Sequence, residues 1–135
     1  GWSDAHFVGL GCLKFSVDPM TYQEANAFCY NNSAYLVEIH DTDQMDFMMM
    51  ELKLLETFVG KRNYWGGGTD MNREGQWYWS HSLRAISDHV WHPSQPNEGI
   101  LANYFGFLFL FEYYGADVVS DYDGAFPICQ KINTF

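Results

Sequence analysis

The chain has 135 residues, 47% of them hydrophobic and 19% aromatic, with 17 acids against 7 bases for a formal net charge of −10. So aromatic a chain is not disordered, and its length suits one domain. The acidic balance argues against nucleic acid as a partner, because phosphate binding needs a basic face. No apolar stretch reaches the roughly twenty residues of a membrane span, so no membrane insertion is expected; the best candidate, residues 104–111 (YFGFLFLF), reads as a buried strand. No secretory leader is visible, which reads as a cytosolic chain or an already processed one.

The first predicted element is a strand over Leu10 to Val17 (LGCLKFSV), ended by Asp18-Pro19. Thr21, followed three residues later by Glu24, is a capping box that opens a helix with Tyr22, Ala25, Phe28 and Cys29 on one face. Residues 34–39 (AYLVEI) predict a short strand. A cap at 40–43 then opens a second amphipathic helix, Gln44 to Val59, which Gly60 stops. The methionine run inside it reads as core filler rather than a metal or cofactor box. Next come Tyr64-Trp65-Gly66-Gly67-Gly68, Thr69-Asp70, and residues 74–79 (EGQWYW). Alternating aromatics predict strand there, and the glycines predict a close approach of backbones. Residues 80–103 carry no period, and two strand-like runs, 104–113 and 125–132, close the chain. The order of strand, two helices, then loops and strands defines an α+β domain over residues 1–135, without repeat or linker. An irregular stretch of about two dozen residues inside such a domain is expected to be functional.

That stretch contains His92-Pro93-Ser94-Gln95-Pro96-Asn97-Glu98-Gly99, whose composition by itself fits an ordinary turn. Catalytic patterns are missing. The five histidines show no HxxxH or HExxH spacing, and the glycine run lacks the Lys-Ser/Thr of a phosphate loop. Ser80-His81 and Asp88-His89 stand without a GxSxG, so a hydrolase triad is not expected. Cys12, Cys29 and Cys129 form no CxxC. Asn31-Asn32-Ser33 is an N-glycosylation triplet, which would place a glycan on Asn31.

The segments GCLKF, TYQEANAFC, YLVEI, YWGGGTD with EGQWYW, and PICQK at 127–131 together resemble a C-type lectin-like domain, in order and spacing, over nearly the whole chain. The resemblance implies two helices flanking small antiparallel sheets, with a long irregular loop. It implies a Cys29–Cys129 disulfide, hence an oxidising compartment and secretion. A second disulfide of the family would fall near Phe105 and Asp121, where neither residue is cysteine. Packing by the aromatic run 104–114 is the expected substitute. Cys12 matches a position whose usual partner lies upstream and is absent here. That leaves it either buried and inert or joining two chains as a homodimer.

In sugar-binding members of the family a Glu-Pro-Asn or Gln-Pro-Asp triplet, usually with a cis proline, turns two side-chain oxygens toward one Ca2+. The first form goes with mannose-type and the second with galactose-type glycans. Gln95-Pro96-Asn97 is half of each. By the same resemblance Asn103 stands where an acid is usual. Gly115-Ala116-Asp117 replaces a Trp-Asn-Asp triplet, leaving Asp117 as the carboxylate. A second cation site is matched by Asp70 and Glu74, with Glu98 adjoining the triplet, and its alternative is a solvated acidic loop. The function implied is a secreted, non-catalytic, carbohydrate-binding lectin for microbial or cell-surface glycans, with the defence role common among similar invertebrate lectins. The rival is a lectin-like, protein-binding module whose calcium site has degenerated.

Overall fold

The computed structural model describes residues 1–97 and 101–132. A hairpin of β1 (Ser3–Ala5) and β2 (Gly11–Phe15) opens the fold, with Asp4 opposite Cys12. β2 also pairs antiparallel with β8 (Ala125–Lys131), so both ends of the chain lie in one sheet. Helix α1 spans Tyr22–Asn31 and starts at the expected capping box. The Thr21 N–H donates to Glu24 Oε1 at 2.9 Å, and the Glu24 N–H donates to Thr21 Oγ1 at 3.3 Å. Its inner face buries Tyr22, Ala25 and Cys29. Cys29 and Cys129 are joined across 100 residues of chain, which seats α1 on β8. Cys12 is half-buried and unbridged.

The strand expected over 34–39 is only two residues long, β3 (Tyr35–Leu36). Val37 explains the shortening. Its N–H donates to the Ile128 carbonyl and its own carbonyl accepts from the Gly67 N–H, both at 2.9 Å, so the backbone crosses here from β8 to β4. Val37 and Ile39 remain fully buried without belonging to a strand.

Helix α2 spans Thr42–Val59. The Asp41 side chain accepts from the Gln44 N–H at 2.8 Å at its start, and Gly60 caps its end. Only part of the methionine run fills the core. Met45 and Met48 are buried, but Met50 is 58% exposed, because it falls on the opposite side of the helix.

β4 (Asn63–Thr69) is central. The strand order is β1-β2-β8-β4, then β6 (Ala102–Phe107) and β7 (Gly115–Val119), with β3 on β8 and β5 (Tyr78–Trp79) on β4. All pairings are antiparallel except β4 with β8, which run parallel. Gly67 lets β4 approach β3 closely: a Cβ there would stand 2.8 Å from the Leu36 carbonyl oxygen.

β6 (Ala102–Phe107) ends six residues before the predicted 104–113 run does. A 3-10 turn over Phe109–Phe111 follows, and Glu112 and Tyr113 take positive φ values of 55° and 70° that reverse the chain. Leu110 is therefore exposed, against the expectation of a buried strand through 111. The reversal creates β7 (Gly115–Val119), a strand the sequence reading did not anticipate, paired with β6 through Phe105 opposite Asp117.

Candidate functional site

Two anchors hold the irregular stretch. At its start the buried carboxylate of Glu38 accepts from the backbone N–H groups of His81 (2.8 Å) and Ser82 (3.1 Å). Glu38 was missed by the sequence reading; its only signal was an acid within the apolar AYLVEI segment. The neighbouring His40, 3.2 Å from Glu38, has its pKa lowered, first by burial and then by the Arg84 charge, against the pull of Glu38. Further along, Trp91 is buried and packs its ring on Phe105 at 5.1 Å between centroids, and the His92 N–H donates to the Gly115 carbonyl. Phe105 itself lies between Trp79, Trp91 and Phe107. Phe105, near which the resemblance puts one cysteine of the family's loop disulfide, thus sits in an aromatic cluster.

The Gln95–Pro96 peptide is cis, and the turn docks on β7. The Asn97 N–H donates to Asp117 Oδ2 at 3.1 Å, and the Asp117 N–H donates to Gln95 Oε1 at 3.4 Å. Gln95, Asn97 and the buried Asp117 are therefore brought together from positions 20 and 22 residues apart. Asn103 sits at the start of β6. Its carbonyl accepts from the Asp70 N–H (3.2 Å) and the Thr69 hydroxyl (2.8 Å), which ties it to the second acidic group.

That group is Asp70 and Glu74. Asp70 is buried at the end of β4. Its Oδ2 accepts from the Gly75 N–H at 2.9 Å, while Oδ1 has no hydrogen-bond partner among the described residues. The Glu74 carboxyl is pushed above its ordinary pKa by desolvation, by the Asp70 charge and a hydrogen bond to Asp70, and by the Asp117 charge. When both are ionised, Asp70 and Glu74 offer only acceptors to each other; a proton on Glu74 supplies a donor. Asp117 thus belongs electrostatically to both proposed sites. Glu98 lies outside the described residues. Among the described residues no group of three His, Cys, Asp or Glu side chains is arranged to hold a metal ion.

The donors around Asp117 and Asp70 are hard oxygens, as Ca2+ requires. The unmatched buried oxygen of Asp70 and the raised Glu74 are both strains that a bound cation would relieve. The residues fit calcium by their chemistry. Beside the triplet opens a cavity of about 390 Å3, lined in part by Trp77, Trp91, His92, Gln95 and Pro96. Asn31 is exposed at the end of α1.

A family model described as the Lectin C-type domain matches residues 18–100, more than half of the chain. This protein belongs to the C-type lectin domain family. It is 29% identical to a perlucin-like protein of Mytilus galloprovincialis over 118 residues, covering 87% of this chain and 74% of that protein. Perlucin of Haliotis laevigata is 32% identical over 87 residues, covering 64% of this chain; the matched part is about half of perlucin's length (53%). The structure of the mouse scavenger receptor C-type lectin carbohydrate-recognition domain superposes with a TM-score of 0.80 at 22% identity, covering 99% of this chain and 95% of that one. The family and the fold are those of non-catalytic binding domains. No helix among the described residues is long and apolar enough to cross a membrane.

Proposed function

We propose that residues 1–135 form a single secreted domain that binds carbohydrate, with Ca2+, at the face built by Gln95, Asn97, Asn103 and Asp117. The observation that carries this reading is the docking of the triplet on Asp117 through two hydrogen bonds, which brings the Gln95 side-chain oxygen and the Asn97 backbone up to the one residue that supplies a carboxylate. Ca2+ takes six to eight oxygen ligands, and bound here it would leave positions for sugar hydroxyls. The four side chains would hold the ion and orient those hydroxyls, and Asp117 is the only acid among them. Asp70 and Glu74, with Glu98, would hold a second cation and stiffen the loop. The long disulfide supports an oxidising, extracellular setting. The hybrid triplet supports mannose- or galactose-type glycans, on microbes or cell surfaces; a defence role rests on the resemblance of YWGGGTD and EGQWYW to invertebrate lectins.

A glycan array with calcium, and again with chelator, tests this reading. Signals lost in chelator support it. Silence in both conditions supports the second reading, a protein-binding domain with a degenerate calcium site. The arrangement of Gln95 Oε1, turned to the Asp117 N–H, favours that rival.

Asp117→Asn is expected to abolish calcium uptake at the sugar site in calorimetric titration, since it removes that site's single carboxylate, and to leave uptake at Asp70 and Glu74. The fold should persist, because the asparagine Oδ1 can still accept from the Asn97 N–H. Gln95→Glu should tighten the metal and favour mannose, and Asn97→Asp should tighten it and favour galactose. Unchanged calcium uptake by Asp117→Asn would defeat the assignment.

Acidity gives a second expectation. A raised Glu74 pKa means that protons compete with the cation at a higher pH than they would at an ordinary glutamate. Calcium affinity should fall as pH drops through that raised value, and Glu74→Gln should flatten this part of the profile. Without calcium the same shift makes the native state bind more protons than the unfolded one, so Glu74 lowers stability as pH rises through its titration. Titrations at several pH values, with and without the substitution, check both signs.

A further inference from the structure

Helix α2 carries two apolar faces. The inner one, Met45, Met48 and Leu52, is buried in the core. The outer one is Met50, Leu54 and Phe58, in line with Phe47, which is half-buried and also packs against the core. Their intervals of three, four and four residues align them in one stripe, the spacing of a helix–helix seam. Met50, Leu54 and Phe58 are 58%, 55% and 78% exposed. At the start of the stripe Phe7, also exposed, packs edge-on against Phe47 with centroids 5.1 Å apart. Single exposed apolar side chains are ordinary, but a continuous stripe on a helix whose other face already fills the core is not. A helix apolar on both sides is normally covered on both.

Charge says what covers it. Asp41, Asp43 and Asp46 are exposed at the first half of α2, while exposed Lys61 follows its C-terminal Gly60, next to Arg62, whose guanidinium lies over the Phe126 ring at 4.2 Å. The charges between are engaged or off the line. Lys53 reaches Glu112 at 3.9 Å, and Glu56 accepts from the Tyr113 hydroxyl at 2.6 Å. The stripe therefore has an acidic end and a basic end, which is complementary to itself when reversed. An antiparallel two-fold pairing centred on Leu54 sets Leu54 against its equivalent and Met50 against Phe58. It sets Glu51 against Thr57, and Asp46 against the Lys61–Arg62 end, at both extremities of the seam. It also opposes the two helix dipoles. A parallel pairing would set acids against acids.

We propose that α2 is a self-association surface, through which two copies of this chain pair antiparallel along Phe47, Met50, Leu54 and Phe58. This pairing does not depend on the carbohydrate reading, and it does not use Cys12, which lies on β2 opposite Asp4 and Lys131.

Sedimentation equilibrium of the whole chain tests it. The parent is expected to dimerise. Leu54→Glu places two carboxylates face to face at the seam centre, in the position of an interface hot spot, and should raise the dimer Kd by at least about 30-fold. Asp46→Lys and Lys61→Glu should each weaken the dimer several-fold, and the double variant, which swaps the complementary charges, should recover the parent value. Cys12→Ser should dimerise like the parent. Thermal unfolding at dilutions where all variants are monomeric verifies that each is folded. A parent that stays monomeric at millimolar concentration overturns the proposal. So does a folded Leu54→Glu that dimerises as well as the parent, a dimer abolished by Cys12→Ser, or a double charge variant weaker than both singles.

Discussion

Replacing Cys29 and Cys129 together by alanine is expected to lower the unfolding free energy by about 4–5 kcal/mol on the chain-entropy account of a 100-residue loop. Among the described residues every helix and strand except β1, β2 and the 3-10 turn between them (His6–Val8) lies inside or at the edge of that loop, so the unfolded chain without the bridge regains most of its freedom. Both sulfurs are fully buried, and the bridge ties α1 to β8, the strand that pairs with β2, β3 and β4. A domain of this size commonly has only about 5–15 kcal/mol to lose, so the variant should unfold at much lower denaturant and well below the parent's melting temperature. Urea unfolding of parent and variant reads the difference. A midpoint shifted by an amount worth less than about 1 kcal/mol would mean that packing alone holds α1 on the sheet.

The caps of both helices were legible because capping is local chemistry. Thr21 with Glu24, and Asp41 before Gln44, lie within hydrogen-bond reach along the chain. The disulfide and the order of elements were legible through family resemblance, which spans the chain. β7 was not. Gly-Ala-Asp-Val-Val has no strand pattern of its own and becomes a strand because Glu112 and Tyr113 turn it back onto β6. The same reversal exposes Leu110, which the unbroken apolar run had assigned to the interior. At the candidate site the triplet was legible as a motif. That Asp117 touches the triplet by hydrogen bonds and Glu74 by charge is a tertiary fact, since β7 must first form. Glu38 was hidden for the same reason: its partners, His81 and Ser82, lie 43 and 44 residues away.

Phe105→Ala is expected to cost at the upper end of the about 3–5 kcal/mol typical of a buried phenylalanine truncation. Phe105 is fully buried between Trp79, Trp91 and Phe107, with centroids 5.2, 5.1 and 5.0 Å away. The cost of a cavity depends on whether its walls can close in. Here a Cβ on Gly66 would stand 2.9 Å from the ring, one on Gly68 2.8 Å from the Phe105 Cβ, and one on Gly115 would collide with the ring edge. Backbone at glycines lines the ring on these sides, and it is held by the ladders of β4, β6 and β7, so the space should stay open. The loss should also reach the candidate site. Trp91 immediately precedes the His92–Asn97 turn, and without Phe105 it loses its ring partner on β6. The variant should therefore bind glycan or calcium more weakly even where it remains folded, with faster hydrogen exchange at residues 91–97 than in the parent. Phe105→Leu keeps most of the volume and should give less than half the stability loss, with near-parent exchange. Chemical unfolding and amide exchange on the three proteins separate the two effects. A Phe105→Ala protein destabilised by less than about 1.5 kcal/mol would show that the cradle collapses after all, and the aromatic cluster would lose its standing as the replacement for the missing loop disulfide.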